Sequence, residues 1–145
     1  LRKPSAEIML EMMCTHIIFS HPDKLVHLKK NYERILIKLT NTDRTDTLME
    51  CILYYINSHS DQPRHIDIHE IEKAINGMDI SESQYMAWWI LAKSSGKLGD
   101  VGREKDYYAN AVKIIQRLGD MIGDEIYRKS FLNKFPIREI LEGKA

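Results

Sequence analysis

The chain has 145 residues, a length that suits one domain or a short helical array with a substantial buried core. Lysine plus arginine and aspartate plus glutamate number 21 each, so no net charge attracts the whole chain to nucleic acid or to an anionic membrane. No apolar run approaches the length of about 18 residues that a membrane span needs, which excludes a membrane-spanning chain.

Helices are predicted along the whole chain, because the apolar residues recur at spacings of three and four and no segment alternates with the period of two typical of a strand. The few glycines and prolines lie between these segments, which indicates short loops. The first predicted helix covers about residues 5–19. A second begins at Pro22, where proline is tolerated in the first turn, and continues to about Thr40.

The next two predicted helices carry recognisable start and stop signals. A polar break containing Asp43 as a candidate N-cap precedes a helix that runs to about Asn57. Asp67 and Glu70 have the spacing of a capping box, so we expect a further helix to begin there and to end at Gly77.

A second capping-box pattern, Ser81 with Gln84, starts the fifth predicted helix, which lasts to Ser95 or Lys97. Its apolar pattern is broad and includes two adjacent tryptophans. This helix is therefore the best candidate for the centre of the fold.

Three further helices complete the prediction. One begins near Asp100 and continues to Leu118, and a second covers about residues 121–133 after a break at Gly119 and Asp120. Proline at position 136 stops the chain again, and a last short helix follows over residues 137–141.

These elements predict an all-α fold in a single domain covering residues 1–145. The predicted architecture is an array of about three antiparallel helical hairpins closed by a pair of capping helices. The hairpins cover about residues 5–40, 43–77 and 81–118, and the cap covers residues 121–142.

The third predicted hairpin carries a family pattern: Trp88, Leu91 and Ala92 on its first helix, Gly99 at the turn, and Tyr108 and Ala111 on its second helix. This spacing resembles the tetratricopeptide repeat, a two-helix unit of about 34 residues that begins W-x2-L-G-x2-Y. The resemblance implies a right-handed array whose concave face binds peptides. Three positions depart from the family pattern, because Ser95, Glu104 and Gln116 replace a tyrosine, a small residue and a proline.

The end of the chain has a second resemblance. Residues 124–141, DEIYRKSFLNKFPIREIL, are similar to the C-terminal close of helical repeat arrays in multidomain bacterial signalling proteins. The resemblance implies a segment of a larger signalling protein, an expectation that also fits a chain beginning at Leu1 without a methionine.

A partner-binding surface is predicted around the second tryptophan. Neighbouring residues on a helix point about 100° apart, so Trp88 and Trp89 cannot share one face. The phasing of the repeat places Trp88 inside the hairpin and directs Trp89 to the concave surface, where aromatic rings and methionines are effective anchors. The predicted partner-binding residues are Trp89, Met86 and Lys93 on the fifth helix, and Leu10, Met13 and Ile17 on the first. The alternative is that they pack against the neighbouring hairpin.

No catalytic or metal-binding constellation is present, so the sequence predicts neither an enzyme nor a cofactor. The glycine-containing loop over residues 96–102 joins two helices, which favours a sharp turn over a phosphate site. His65 and His69 are four apart, but the predicted cap at Asp67 leaves His65 outside the helix, and no further ligand spacing accompanies them. Cys14 and Cys51 lie in apolar helical patterns and are expected to be buried free thiols in a reducing compartment.

The second predicted helix carries a candidate nucleic-acid surface. Its candidates are the cationic residues of the second predicted helix: Lys24, Lys29, Lys30, Arg34 and Lys38. A solvated outer face explains them better, since the chain is neutral and carries no recognition motif.

The sequence therefore predicts a cytoplasmic protein–protein interaction or regulatory segment that binds a partner protein or peptide, not nucleic acid or a membrane. The alternatives are a helical bundle with a small-molecule or metal site and a homo-oligomerisation domain.

Overall fold

The computed structural model describes residues 13–17, 21, 23–24, 27 and 43–143. The described residues form helices joined by short loops and contain no strand, which confirms the all-α prediction at this level. Residues 13–17 are helical, as are 23, 24 and 27, while the rest of the predicted hairpin over 5–40 lies outside the described residues.

Six helices follow residue 42: α1 (Asp43–Ser58), α2 (Ile68–Asn76), α3 (Glu82–Lys97), α4 (Val101–Asp120), α5 (Glu125–Asn133) and α6 (Ile137–Leu141). Their bounds agree with the predicted ones to within a few residues, except at the α4–α5 junction. None of the helices in these described ranges is long and apolar enough to cross a bilayer.

The junction between α4 and α5 lies later than predicted. Helix α4 continues through Gly119 to Asp120, and α5 begins only at Glu125. Two side chains explain the shift. Asp124 accepts hydrogen bonds from the Ile126 and Tyr127 N–H groups (2.8 and 3.2 Å) and so caps α5. Arg128 donates to the carbonyls of Gly119 and Ile122, which satisfies the end of α4.

Helix α3 is the central element, because it contacts α1, α2 and α4. Its buried residues run without a gap from Ala87 to Ala92, so no side of that stretch faces solvent. A helix that is buried all round has packing partners on every side. Both tryptophans are consequently inside: Trp88 is 3% exposed and Trp89 is 0% exposed. The predicted outward orientation of the Trp89 ring is therefore not the one that the fold adopts.

The contact between α3 and α4 is phased one residue away from the predicted pattern. The ring of Trp88 stacks on Tyr107, with 5.6 Å between the centroids, and the predicted partner, Tyr108, is only partly buried. The Tyr107 hydroxyl donates a hydrogen bond to the Glu72 carboxylate on α2. Ala111 is fully buried, as expected for a small residue at a close helix approach.

The turn between α3 and α4 is tight because a glycine occupies the left-handed region. Gly99 has φ of 83°, a conformation that residues with a Cβ rarely adopt. Its N–H donates to the Gly96 carbonyl (3.1 Å), and the Asp100 N–H donates to the Ser95 carbonyl (2.9 Å). Asp100 then caps α4 by accepting from the Arg103 N–H (3.0 Å). This geometry closes the α3–α4 hairpin with almost no loop.

Candidate binding site

A cavity of about 470 Å³ lies between α3 and α4, beside Gly143. Helix α3 contributes Trp89, Ala92 and Lys93 to its lining. These residues are spaced i, i+3 and i+4, which places their side chains on one face of the helix. The floor of the cavity is therefore part of the central helix.

The opposite wall comes from α4, whose lining residues are spaced i, i+3, i+4 and i+7: Val101, Glu104, Lys105 and Tyr108. The tight turn at Gly99 brings the start of α4 back along the end of α3. The two lining faces meet because the turn is short. Val101 is 69% exposed and forms an apolar edge at the mouth.

The Lys93 ammonium lies over the face of the Trp89 ring, with 5.0 Å between Nζ and the ring centroid. Such a cation–π contact stabilises a partly desolvated cation by roughly 1–2 kcal/mol. Burial lowers the pKa of Lys93 below its usual value, because the charged form loses water. In the described ranges, the ion pairs do not include Lys93. No carboxylate among the described residues therefore pairs with its positive charge.

Trp89 also carries a polar atom without a partner. Its Nε1–H is buried and, in the described part of the chain, forms no hydrogen bond. Leaving a buried donor unpaired costs about 1–3 kcal/mol.

Glu104 supplies the carboxylate among the described lining residues, and it lies against Gly96 of α3. A Cβ at Gly96 would lie 1.6 Å from Oε2 of Glu104, so any larger residue there would displace the carboxylate from this position. Glu104 replaces the small residue of the repeat pattern, and Gly96 provides the small side of this contact instead. Neither Lys93 nor Lys105 pairs with Glu104 in the described structure.

Of the six predicted partner-binding residues, the cavity brings together Trp89 and Lys93. Met86 is partly buried and packs against the core, and Met13 and Ile17 are core residues with 0% exposure. Leu10 lies outside the described residues.

The sequence reasoning missed the wall formed by α4. The signal was present, because Glu104, Lys105 and Tyr108 follow Val101 at helical spacing opposite the end of the preceding helix.

The other candidate groups do not assemble into a site. His65 is exposed in the loop before α2, while the His69 N–H donates to the capping Asp67 carboxylate (3.1 Å). Within the described ranges, no group of three or more His, Cys, Asp or Glu side chains is placed to hold a metal ion. Cys14 and Cys51 are buried and form no disulfide within the described residues, and burial raises the pKa of the Cys51 thiol, which disfavours the reactive thiolate.

No protein-family model matches the sequence, and no curated protein or solved structure matches it. The class that the fold and the site define is therefore structural: an all-α chain with an aromatic, cationic cavity between two adjacent helices.

Proposed function

We propose that the chain is a non-catalytic interaction module that takes a side chain of a partner peptide into the cavity between α3 and α4. The observation that carries the proposal is the meeting of Trp89 and Lys93, two predicted partner-binding residues, in a cavity with an exposed apolar edge at Val101. Buried aromatic groups beside an open pocket are typical of the anchoring points of protein interfaces.

The helix contacts support a repeat-like arrangement for this module. Helices α3 and α4 are consecutive and pack together, and so do α1 and α2. Helix α1 also packs against α3, so the first helices of the second and third predicted hairpins are neighbours. Stacked helix pairs of this kind share one continuous core, as in tetratricopeptide-like arrays. In our proposal the chain is a regulatory segment of a larger cytoplasmic signalling protein.

The expected mode of binding is docking to a preformed surface. The Gly99 turn and the Trp88–Tyr107 stack hold α3 and α4 in place without a ligand. The conformational entropy lost on binding is then mainly that of the peptide. A competing function is a small-molecule site, because a volume of about 470 Å³ also suits a small ligand.

Selection from a phage-displayed library of random 12-residue peptides tests the proposal. We expect enriched peptides to lose about fivefold in affinity with Val101→Gln, since an apolar contact of about 1 kcal/mol is removed from the mouth. Fluorescence anisotropy of labelled peptides measures the change.

Met121→Gln is the matched control for this experiment. Met121 is 70% exposed, against 69% for Val101, and it caps the opposite end of the same helix. Peptide affinity should not change in this variant. Failure to enrich any peptide, or an equal loss with both variants, would contradict the proposal.

A further inference from the structure

We infer that the anchor group taken by this cavity is an anion, a carboxylate carried on an aromatic or large apolar body, that binds beside the Lys93 ammonium. The inference rests on the proposed function, because it names the chemistry of the partner group at the same site.

The charges that line the cavity favour an anion. Lys93 comes from α3, and Lys105 and Glu104 come from α4, which leaves one net positive charge. Gly143, behind them, adds no ionisable side chain. Because Glu104 lies against Gly96 and pairs with neither lysine in the described structure, its carboxylate does not neutralise the cations. An incoming anion therefore meets two ammonium groups that form no ion pair with any described residue.

Lys93 is the cation that contributes most to the preference for an anionic ligand. It is half-buried, and its ammonium has exchanged part of its water for the face of the Trp89 ring. An opposite charge next to a partly desolvated cation is attracted more strongly than in bulk water. Lys105 is exposed, so its contribution is screened by solvent. A cationic ligand would be repelled by both lysines.

The remaining lining residues determine which kind of apolar group can carry the anion. Tyr108 supplies partly exposed aromatic surface from α4, Val101 adds an exposed apolar edge, and the fully buried Trp89 closes the floor beneath Lys93. Aromatic rings add favourable offset or edge contacts to simple apolar burial. A flat apolar group with a carboxylate on a short arm matches both halves of the cavity.

Two small probes test this chemistry without knowledge of the partner: 3-phenylpropionate and its neutral amide, 3-phenylpropionamide. They share one body and differ in charge. NMR titration of the indole N–H signals should show that wild-type chain binds the acid at least tenfold more tightly than the amide. Near-equal affinity of the two probes, or no binding of the acid, would overturn the inference.

Three variants test which residues cause the preference for the acid over the amide. Lys93→Met should remove the preference for the acid while leaving affinity for the amide in place. Glu104→Gln should tighten binding of the acid, because a neighbouring negative charge that repels the acid is lost. Lys113→Met, an exposed position on α4 outside the lining, should change neither affinity. Helical circular dichroism confirms that each variant is folded, and Lys93→Gln serves as the second variant if Lys93→Met is not.

The dependence on pH gives an independent readout. Affinity for the acid should fall as the pH rises through the pKa of Lys93, which burial places below its usual value, while affinity for the amide stays constant. A pH-independent affinity for the acid would contradict the role of Lys93.

The two proposals fail in different ways. Peptides that bind at the Val101 edge without any preference for acidic residues would leave the interaction module standing and overturn the anionic anchor. Tight binding of the free acid, together with no enriched peptide, would overturn the interaction module and assign the cavity to a small carboxylic acid.

Discussion

Tyr107 is the residue at which three helices meet. From α4 its ring stacks on Trp88 of α3, and its hydroxyl donates to Glu72 of α2. Burial, followed by the hydrogen bond and the negative charge of Glu72, raises the pKa of Tyr107 above its ordinary value. The contribution of the hydroxyl can be separated from that of the ring, because the stack does not depend on the oxygen.

Tyr107→Phe is therefore expected to lower the free energy of unfolding by about 1–2 kcal/mol, since a hydrogen bond to a charged group is lost and Glu72 still reaches water. Urea denaturation measures this as a lower midpoint with an unchanged slope. Tyr127→Phe is the control, because Tyr127 is 70% exposed. A midpoint equal to that of the control would show that the Tyr107 hydroxyl adds no stability.

The adjacent tryptophans show where single-residue prediction fails. Their different directions follow from helix geometry alone, and the choice of Trp88 as a core residue was sound. Whether the face that carries Trp89 meets solvent depends on which other helices pack against it, and the local sequence does not contain this information. Residues 13–17, α1 and α3 contribute to one core, so the face of α3 that was expected to be exposed is buried. Lys93 reached the cavity because its position at the end of α3 faces the returning helix.

At the scale of elements, capping residues and other local sequence signals were sufficient to predict where most helices begin and end. The Ser81 hydroxyl accepts from the Gln84 N–H (3.2 Å), as the capping pattern predicts. The Gln84 side chain then departs from the pattern and donates to the Ile75 and Met78 carbonyls at the end of α2. The late end of α4 was not predictable from local residues, because the arginine that satisfies its carbonyls lies on α5.

The α3–α4 turn gives a clean test of backbone conformation. A Cβ at Gly99 would meet no atom within 4 Å, so Gly99→Ala acts only through the positive φ of 83°. We expect a loss of about 1–2 kcal/mol in stability, the cost of placing a residue with a Cβ in the left-handed region.

Gly123→Ala is the matched control for that turn. A Cβ there also meets nothing within 4 Å, and the backbone has no positive φ. Thermal or urea unfolding should show it to be neutral or slightly more stable than wild type. Equal losses in the two variants would mean that the turn does not require glycine.

At the scale of the whole molecule, buried tyrosines link stability to alkaline pH. Burial raises the pKa of Tyr54, Tyr55, Tyr85 and Tyr107 above the ordinary value of 10.0. The folded chain therefore keeps protons that the unfolded chain releases above pH 10. Stability is fully present below that pH, and each such tyrosine lowers it by up to about 1.4 kcal/mol per pH unit above it.

Tyrosinate absorbance and helical circular dichroism, followed together from pH 8 to 12.5, check this prediction. The buried tyrosines should ionise in the same cooperative step in which helical signal is lost. Ionisation of all tyrosines near pH 10 with the helices intact would contradict the burial on which the prediction depends.

The complete burial of residues 87–92 of α3 means that the two walls of the cavity tolerate substitution to different degrees. A substitution at Trp89 or Ala92 disturbs the packing of the central helix, so a gain in binding there is obtained against a loss in folding. Val101, Glu104 and Lys105 are exposed, and changes at exposed positions are mostly tolerated. New specificities in descendants or engineered versions of this chain should consequently arise on α4 and at the half-buried Lys93, while the buried residues 87–92 of α3 are retained.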